Sequence, residues 1–165
     1  MGWVHGNTAY IVSKATCKKE SKHGFTDEEY GCLLKHELTH LFFQVAAKGN
    51  NKPVWLWEGV ALYVSGETTT KKRPASFKEF LNSYDLHCPG VYEESGFVVR
   101  LLVKRYGQAK LLWLITDLQH CKSKAEFSAL FKNTYGFAAS YKSMNKLLVQ
   151  KQSDAFSTCS PQTLV

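Results

Sequence analysis

Two histidines four residues apart, with a glutamate beside the first, are the residues of this chain best suited to chemistry: His36-Glu37-Leu38-Thr39-His40. On a helix, residues i and i+4 share a face one turn apart, so His36 and His40 can point at one metal ion. Glu37 is turned about 100° from His36 along the same helix. From there its carboxylate reaches a water on the metal without being a ligand. This is the two-histidine zinc pattern, with the glutamate as general base. A chain of this composition contains such a match in roughly one shuffled version per hundred. The competing reading is a surface helix with two solvated histidines, and the surrounding elements decide between them.

Those elements read as follows. Thr26 is an N-cap candidate, Glu29 stands three residues on as its capping-box partner, and Phe25 is placed for a hydrophobic staple. The helix they open runs from Asp27 to about Ala47 and ends at Gly49-Asn50-Asn51. Its apolar positions recur at spacings of three and four, and Leu33, Leu34, Leu38 and Leu41 are expected to bury it. A largely apolar helix with the motif in its middle is poorly explained as a solvated surface. Pro53 to Val64 forms a second helix, with Pro53 near the entry and Ser65-Gly66 at the exit.

A catalytic zinc takes three protein ligands and keeps one position open. Glu58 lies 18 residues after His40, on that second helix, across a short loop. Helices joined by a short loop pack against each other. Glu58 is embedded among Trp55, Leu56, Trp57, Val60 and Ala61, where a carboxylate is costly to bury unless it is paired or binds a metal. The plainer reading is a glutamate on the exposed edge of an amphipathic helix; the motif upstream favours a ligand.

With these residues in view, the chain resembles a known family. His36-Glu37-Leu38-Thr39-His40 followed by Pro53-x-Trp55-Leu56-x-Glu58-Gly59-x-Ala61-x-Tyr63 is similar to the gluzincin metallopeptidases. In particular it looks like their peptidase MA-like group, distant relatives of thermolysin and the M1 aminopeptidases. Ser95-Gly96-Phe97-Val98 with Arg105-Tyr106-Gly107 resembles the helix that follows the glutamate helix in those domains. The resemblance spans roughly Gly2 to Leu148. It implies one zinc per chain held by His36, His40 and Glu58, Glu37 as general base, and hydrolysis of a peptide or protein substrate. It implies that the strand around Tyr10 to Val12 is the edge above the metal, pairing with an extended peptide. It also implies an oxyanion donor after the glutamate helix: Tyr92 first, with His87 and Tyr63 as alternatives. Relatives often carry an aspartate four residues after the ligand glutamate, to orient a zinc histidine; here that position is Leu62, so another group must do so. The metzincin pattern fails, since it needs Gly at Phe43 and His at Ala46. The competing function is a degenerate zincin-fold binding module with a structural zinc.

The rest of the chain supplies a helix-rich α+β layout, a zincin-like domain with a small N-terminal sheet. Val4 to Val12 holds a strand signal at Ala9-Tyr10-Ile11-Val12, and Lys14 to Gly24 reads as a polar loop. Ser76 to Tyr84 reads as a short helix opened by a second capping box, and Asp85 to Gly90 as a loop. Further helices are expected at Tyr92 to Tyr106, Ala109 to Gln119, Ser123 to Lys132 and Ala139 to Gln150. Residues 1–150 are taken as the catalytic domain and 151–165 as a polar tail.

Bulk properties narrow the function classes. A chain of 165 residues suffices for one domain and one core. The net charge is +7, but the lysines sit in short loop clusters without interleaved aromatics, which argues against nucleic acid as partner. The charge favours acidic substrates or partners through long-range attraction. No stretch nears the ~18 consecutive apolar residues of a membrane span. Five cysteines with no C-x-x-C, and no signal-peptide pattern at Met1 to His5, point to a reduced cytoplasmic setting, or to an exported one if the chain is a fragment lacking its signal. A monomer is the default expectation.

Overall fold

The computed structural model describes residues 2–6, 8–20 and 25–149. Two short strands, β1 (Gly2–His5) and β2 (Thr8–Ile11), pair antiparallel with Trp3 opposite Tyr10. Seven helices follow among the described residues: α1 (Lys14–Glu20), α2 (Asp27–Ala46), α3 (Val54–Ser65), α4 (Val91–Tyr106), α5 (Gln108–Asp117), α6 (Lys124–Tyr135) and α7 (Tyr141–Val149). The chain is thus helix-rich with a small antiparallel sheet. The 151–165 tail lies outside the described residues.

α3 is the axis of the fold. It is apolar nearly all round, the signature of a helix covered by neighbours, and its residues from Val54 to Leu62, Trp57 excepted, are all buried. α2 packs on one side of it and α4 on the other. The α3–α4 approach depends on two glycines. A Cβ at Gly59 would lie 2.8 Å from the Ser95 carbonyl oxygen, and one at Gly96 would lie 2.8 Å from Leu62 Cβ. Around the start of α3, Trp55 meets Phe80, Phe127 and Phe131 edge-on, at ring separations of 5.1, 6.1 and 6.3 Å. Edge-to-face contact of this kind is the favoured aromatic geometry.

α2 begins as its sequence indicates. Thr26 Oγ1 accepts from the Glu29 backbone N–H, and Glu29 reciprocates on Thr26 N–H at 2.8 Å. The acidic first turn, Asp27 to Glu29, complements the positive end of the helix dipole. Its buried face, however, is not the leucine stripe. His36, Glu37, Thr39, His40 and Phe43 are buried, Leu33, Leu34 and Leu41 are half-buried, and Leu38 is 45% exposed. α3 packs on the histidine face, and a sheet only two strands wide leaves Leu38, Phe42 and Val45 uncovered by the described residues.

Two other expectations give way to tertiary contacts. Lys14 to Glu20 is helical, not loop. Ser13 caps it, accepting from Thr16 N–H, while Lys14 and Lys18, one turn apart, both reach Asp27 at 2.6 and 3.5 Å. Only Cys17 of this helix is buried, so local polarity gave no sign of it. Conversely, Ser76 to Tyr84 is not a helix beyond a short 3-10 turn at Phe80–Asn82. The N–H groups of Lys78, Glu79 and Phe80 donate to the buried Glu94 carboxylate at 3.0–3.1 Å, so a distant side chain takes up donors that the expected capping box and first helical turn would have used. Phe77 and Phe80 are thereby directed into the core.

Candidate metal centre

The motif histidines sit mid-way along α2, and Glu58 sits in the second turn of α3 facing them. The packing of these two helices makes the site. Asn50 in the connecting loop fixes their relation to the rest of the core, donating to the Leu118 and Cys121 carbonyls at 2.8 and 2.9 Å.

His36, His40 and Glu58 each offer one ligand atom, all within 4.8 Å of one another, which suffices for them to hold one metal ion. Glu58 Oε2 is 3.3 Å from His36 Nε2 and 3.6 Å from His40 Nε2. Two ligand atoms at about 2.1 Å from a tetrahedral zinc are about 3.4 Å apart, so these edges fit the ion. The chemistry of the donors agrees. Among the described residues, Glu58 Oε2 and Glu37 Oε2 are buried without a hydrogen-bond partner, and native proteins rarely leave buried polar atoms in that state. Glu58 is only 3% exposed.

Neighbouring groups hold the ligands. Glu67 lies just after α3, in a 3-10 turn entered through Gly66. His36 Nδ1 donates to Glu67 Oε1 at 2.8 Å, which leaves Nε2 as the nitrogen aimed at Glu58. Ser65 Oγ donates to the same oxygen at 3.0 Å, and Lys71 pairs with the other at 3.3 Å. Glu67 therefore stands where it can orient the His36 ring, a place the resemblance assigned to position 62. Leu62 is 1% exposed and its Cβ lies against α4, where a carboxylate would be stranded. His40 is oriented by stacking on Trp57, the rings 3.8 Å apart.

Charge follows this geometry. Burial disfavours a proton on His36, but the Glu58 and Glu67 carboxylates outweigh it and raise the group to about 9. Burial pushes Glu58 up, and the contacts with His36, His40 and His87 more than reverse that, holding it well below the usual carboxylate range. Glu37 is raised, burial being the largest cause and the two histidines opposing it. A carboxylate so raised is a stronger base than an exposed one.

The sequence candidates divide at Glu58. Tyr92, at the start of α4, brings its hydroxyl to 3.4 Å from Glu58 Oε1. Burial and the charge of Glu58 push this phenol up to about 12, so it stays a proton donor. His87 comes closer, its Nε2 2.6 Å from the same oxygen. Tyr63 packs on the hydrophobic core. Two contributors were missed from sequence. Glu67 had a faint signal, an acid directly after the glycine that ends α3. Gly2 had none: a Cβ there would lie 2.6 Å from Glu37 Cγ and Oε1, so β1 runs directly against the candidate base. Comparison with models of known families, with curated proteins and with solved structures finds no match for this chain.

Proposed function

We propose that the protein is a zinc-dependent metallopeptidase of gluzincin type with a zincin-like fold, hydrolysing peptide bonds with Glu37 as general base. The observation that carries this is the convergence of His36, His40 and Glu58 on one point, with Glu37 buried beside them and its Oε2 without a hydrogen-bond partner among the described residues. A metal held only for structure has no use for that fourth group, which distinguishes this reading from a degenerate binding module with a structural zinc.

Zinc bound by His36, His40 and Glu58 supplies Lewis acidity, polarising the substrate carbonyl and lowering the pKa of water toward ~7. The remaining chemistry falls to the chain. Glu37, kept basic by its burial, accepts the proton of the attacking water and returns it to the leaving nitrogen. Tyr92, protonated at any physiological pH, donates to the carbonyl oxygen as negative charge develops there. Glu67 fixes the His36 ring. The edge strand is then β1, whose Gly2 lies against Glu37, rather than the Tyr10 to Val12 strand expected from the resemblance; its outer edge, unpaired among the described residues, offers main-chain partners to an extended peptide.

Digestion of a peptide library, read by mass spectrometry, tests the reading: cleavage is expected with zinc and lost with chelator. Glu37→Gln is expected to retain zinc and lose about 100-fold or more of the activity. Undiminished hydrolysis by that variant would remove Glu37 as base. Zinc retention with no hydrolysis by the native protein would favour the binding module.

A further inference from the structure

Glu58 has two oxygens with different surroundings. Oε2 faces His36 and His40, while Oε1 is bonded to His87 at 2.6 Å. We propose that His87 is a positioning residue: its Nε2–H holds Glu58 Oε1, so that the carboxylate presents Oε2 alone to the metal. This rests on the metal reading above. Its consequence is a count of ligands. A carboxylate binding through both oxygens fills two positions, whereas one held by a donor fills one and leaves a position open for water, as a catalytic zinc needs.

The loop that carries His87 is built to deliver it. The first N–H groups of a helix have no partner within it. In α3 they are taken up by that loop: Val54 N–H donates to the Tyr84 carbonyl at 2.9 Å and Trp55 N–H to that of Ser83 at 2.8 Å. Ser83 is fully buried, and its hydroxyl accepts from Cys88 N–H at 3.0 Å, on the far side of His87. Lys52 and Asp85 add an ion pair at 2.5 Å. Residues 83–88 are thus tied to the first turn of α3, and Glu58 lies one turn further along. The imidazole is fixed in turn by its neighbours, stacked on Tyr92 with rings 5.8 Å apart and set against Trp57 at 6.3 Å. Tyr92 competes poorly for Oε1. Its 3.4 Å approach is long for a hydroxyl donor, whose usual distance is about 2.7–2.8 Å.

The test is cobalt(II) substitution of the whole chain, with zinc affinity measured in parallel by chelator competition. Native protein is expected to take up one cobalt and show the intense visible absorption of a four-coordinate site. His87→Ala, at a half-exposed position, is expected to fold with an unchanged melting transition. Its cobalt absorption should weaken toward that of a five-coordinate site, and its zinc affinity should fall about 10–100-fold. His87→Gln, which places an amide N–H near the same point, should restore both to within about threefold. Native spectrum and affinity in His87→Ala would overturn the proposal. So would a variant that keeps both yet loses hydrolysis, since that places His87 on the substrate. Failure of His87→Gln to restore the spectrum counts against it as well. If the native protein binds neither metal, the metal reading itself falls, and this proposal with it.

Discussion

The candidate metal centre depends on how the second polar atom of each candidate ligand is satisfied. His36 has a carboxylate on Nδ1, Glu58 has an imidazole on Oε1, and His40 Nδ1 has no hydrogen-bond partner among the described residues, its ring held by Trp57. A carboxylate behind a metal-binding histidine fixes the ring and raises its basicity. Glu67→Gln keeps an acceptor but removes the charge. It is expected to weaken zinc binding about tenfold, at the low end for such partners, and to leave the fold intact. Chelator competition measures this. Lys71→Ala, which removes a half-exposed ion pair on the same carboxylate, should change the affinity by less than about threefold, since ion pairs in contact with solvent contribute little. Equal losses in the two variants would show that the 66–71 turn, rather than the charge behind His36, is what matters.

Among the elements, the two-stranded sheet has a role out of proportion to its size. An isolated hairpin is marginal in water, and this one is held by α2, against which both strands pack. Gly2 sets how closely β1 approaches Glu37. Gly2→Ala must displace either the strand or the carboxylate, because the added Cβ falls 2.6 Å from Glu37 Cγ. A shift of about 1 Å at a catalytic group costs about 100-fold in rate. Hydrolysis is therefore expected to drop by that order while zinc affinity holds. Full activity in Gly2→Ala would show that β1 yields without cost. At the next element, α3 binds the two halves of the site. Its N-terminus is capped by the loop carrying His87, its second turn carries Glu58, and its end leads into Glu67.

For the molecule as a whole, a metal held at the candidate site would be coupled to stability through protons. In the metal-free protein His36 is raised to about 9, above its value of 6.5 in an unfolded chain. The sign follows from linkage. A raised folded-state pKa contributes stability that is complete below about 6.5 and is lost as the pH climbs through about 9. Glu58 is depressed, so its contribution is complete above about 4.5 and is lost on acidification. The metal-free protein should thus lose thermal stability between pH 6.5 and 9. Zinc competes with the His36 proton, so its stabilising effect should grow over the same interval. Scanning calorimetry at fixed free zinc checks this. A zinc-induced rise in Tm that is constant from pH 6.5 to 9 would contradict the proton coupling.

The amino-acid sequence by itself determined the parts whose cause is local. The His36-Glu37-x-x-His40 spacing puts two candidate ligands on one helix face because 3.6 residues make a turn. Thr26 and Glu29 start that helix through contacts three residues long, and Pro53 and Gly66 bracket the next. Glu58 was legible because a carboxylate amid Trp55, Leu56 and Trp57 needs a partner. What only the tertiary structure decided are contacts between residues far apart in the chain. Periodicity put Leu38 inside, but α3 covers the histidine side and leaves Leu38 half in solvent. Glu94 dissolved an expected helix from 14–16 residues away. Glu67 reached His36 across 31 residues, and His87 reached Glu58 across 29. A sequence pattern records which side chains a helix presents together. It holds no measure of the distance across a packed interface, and that distance fixes which acid and which imidazole hold the ligands.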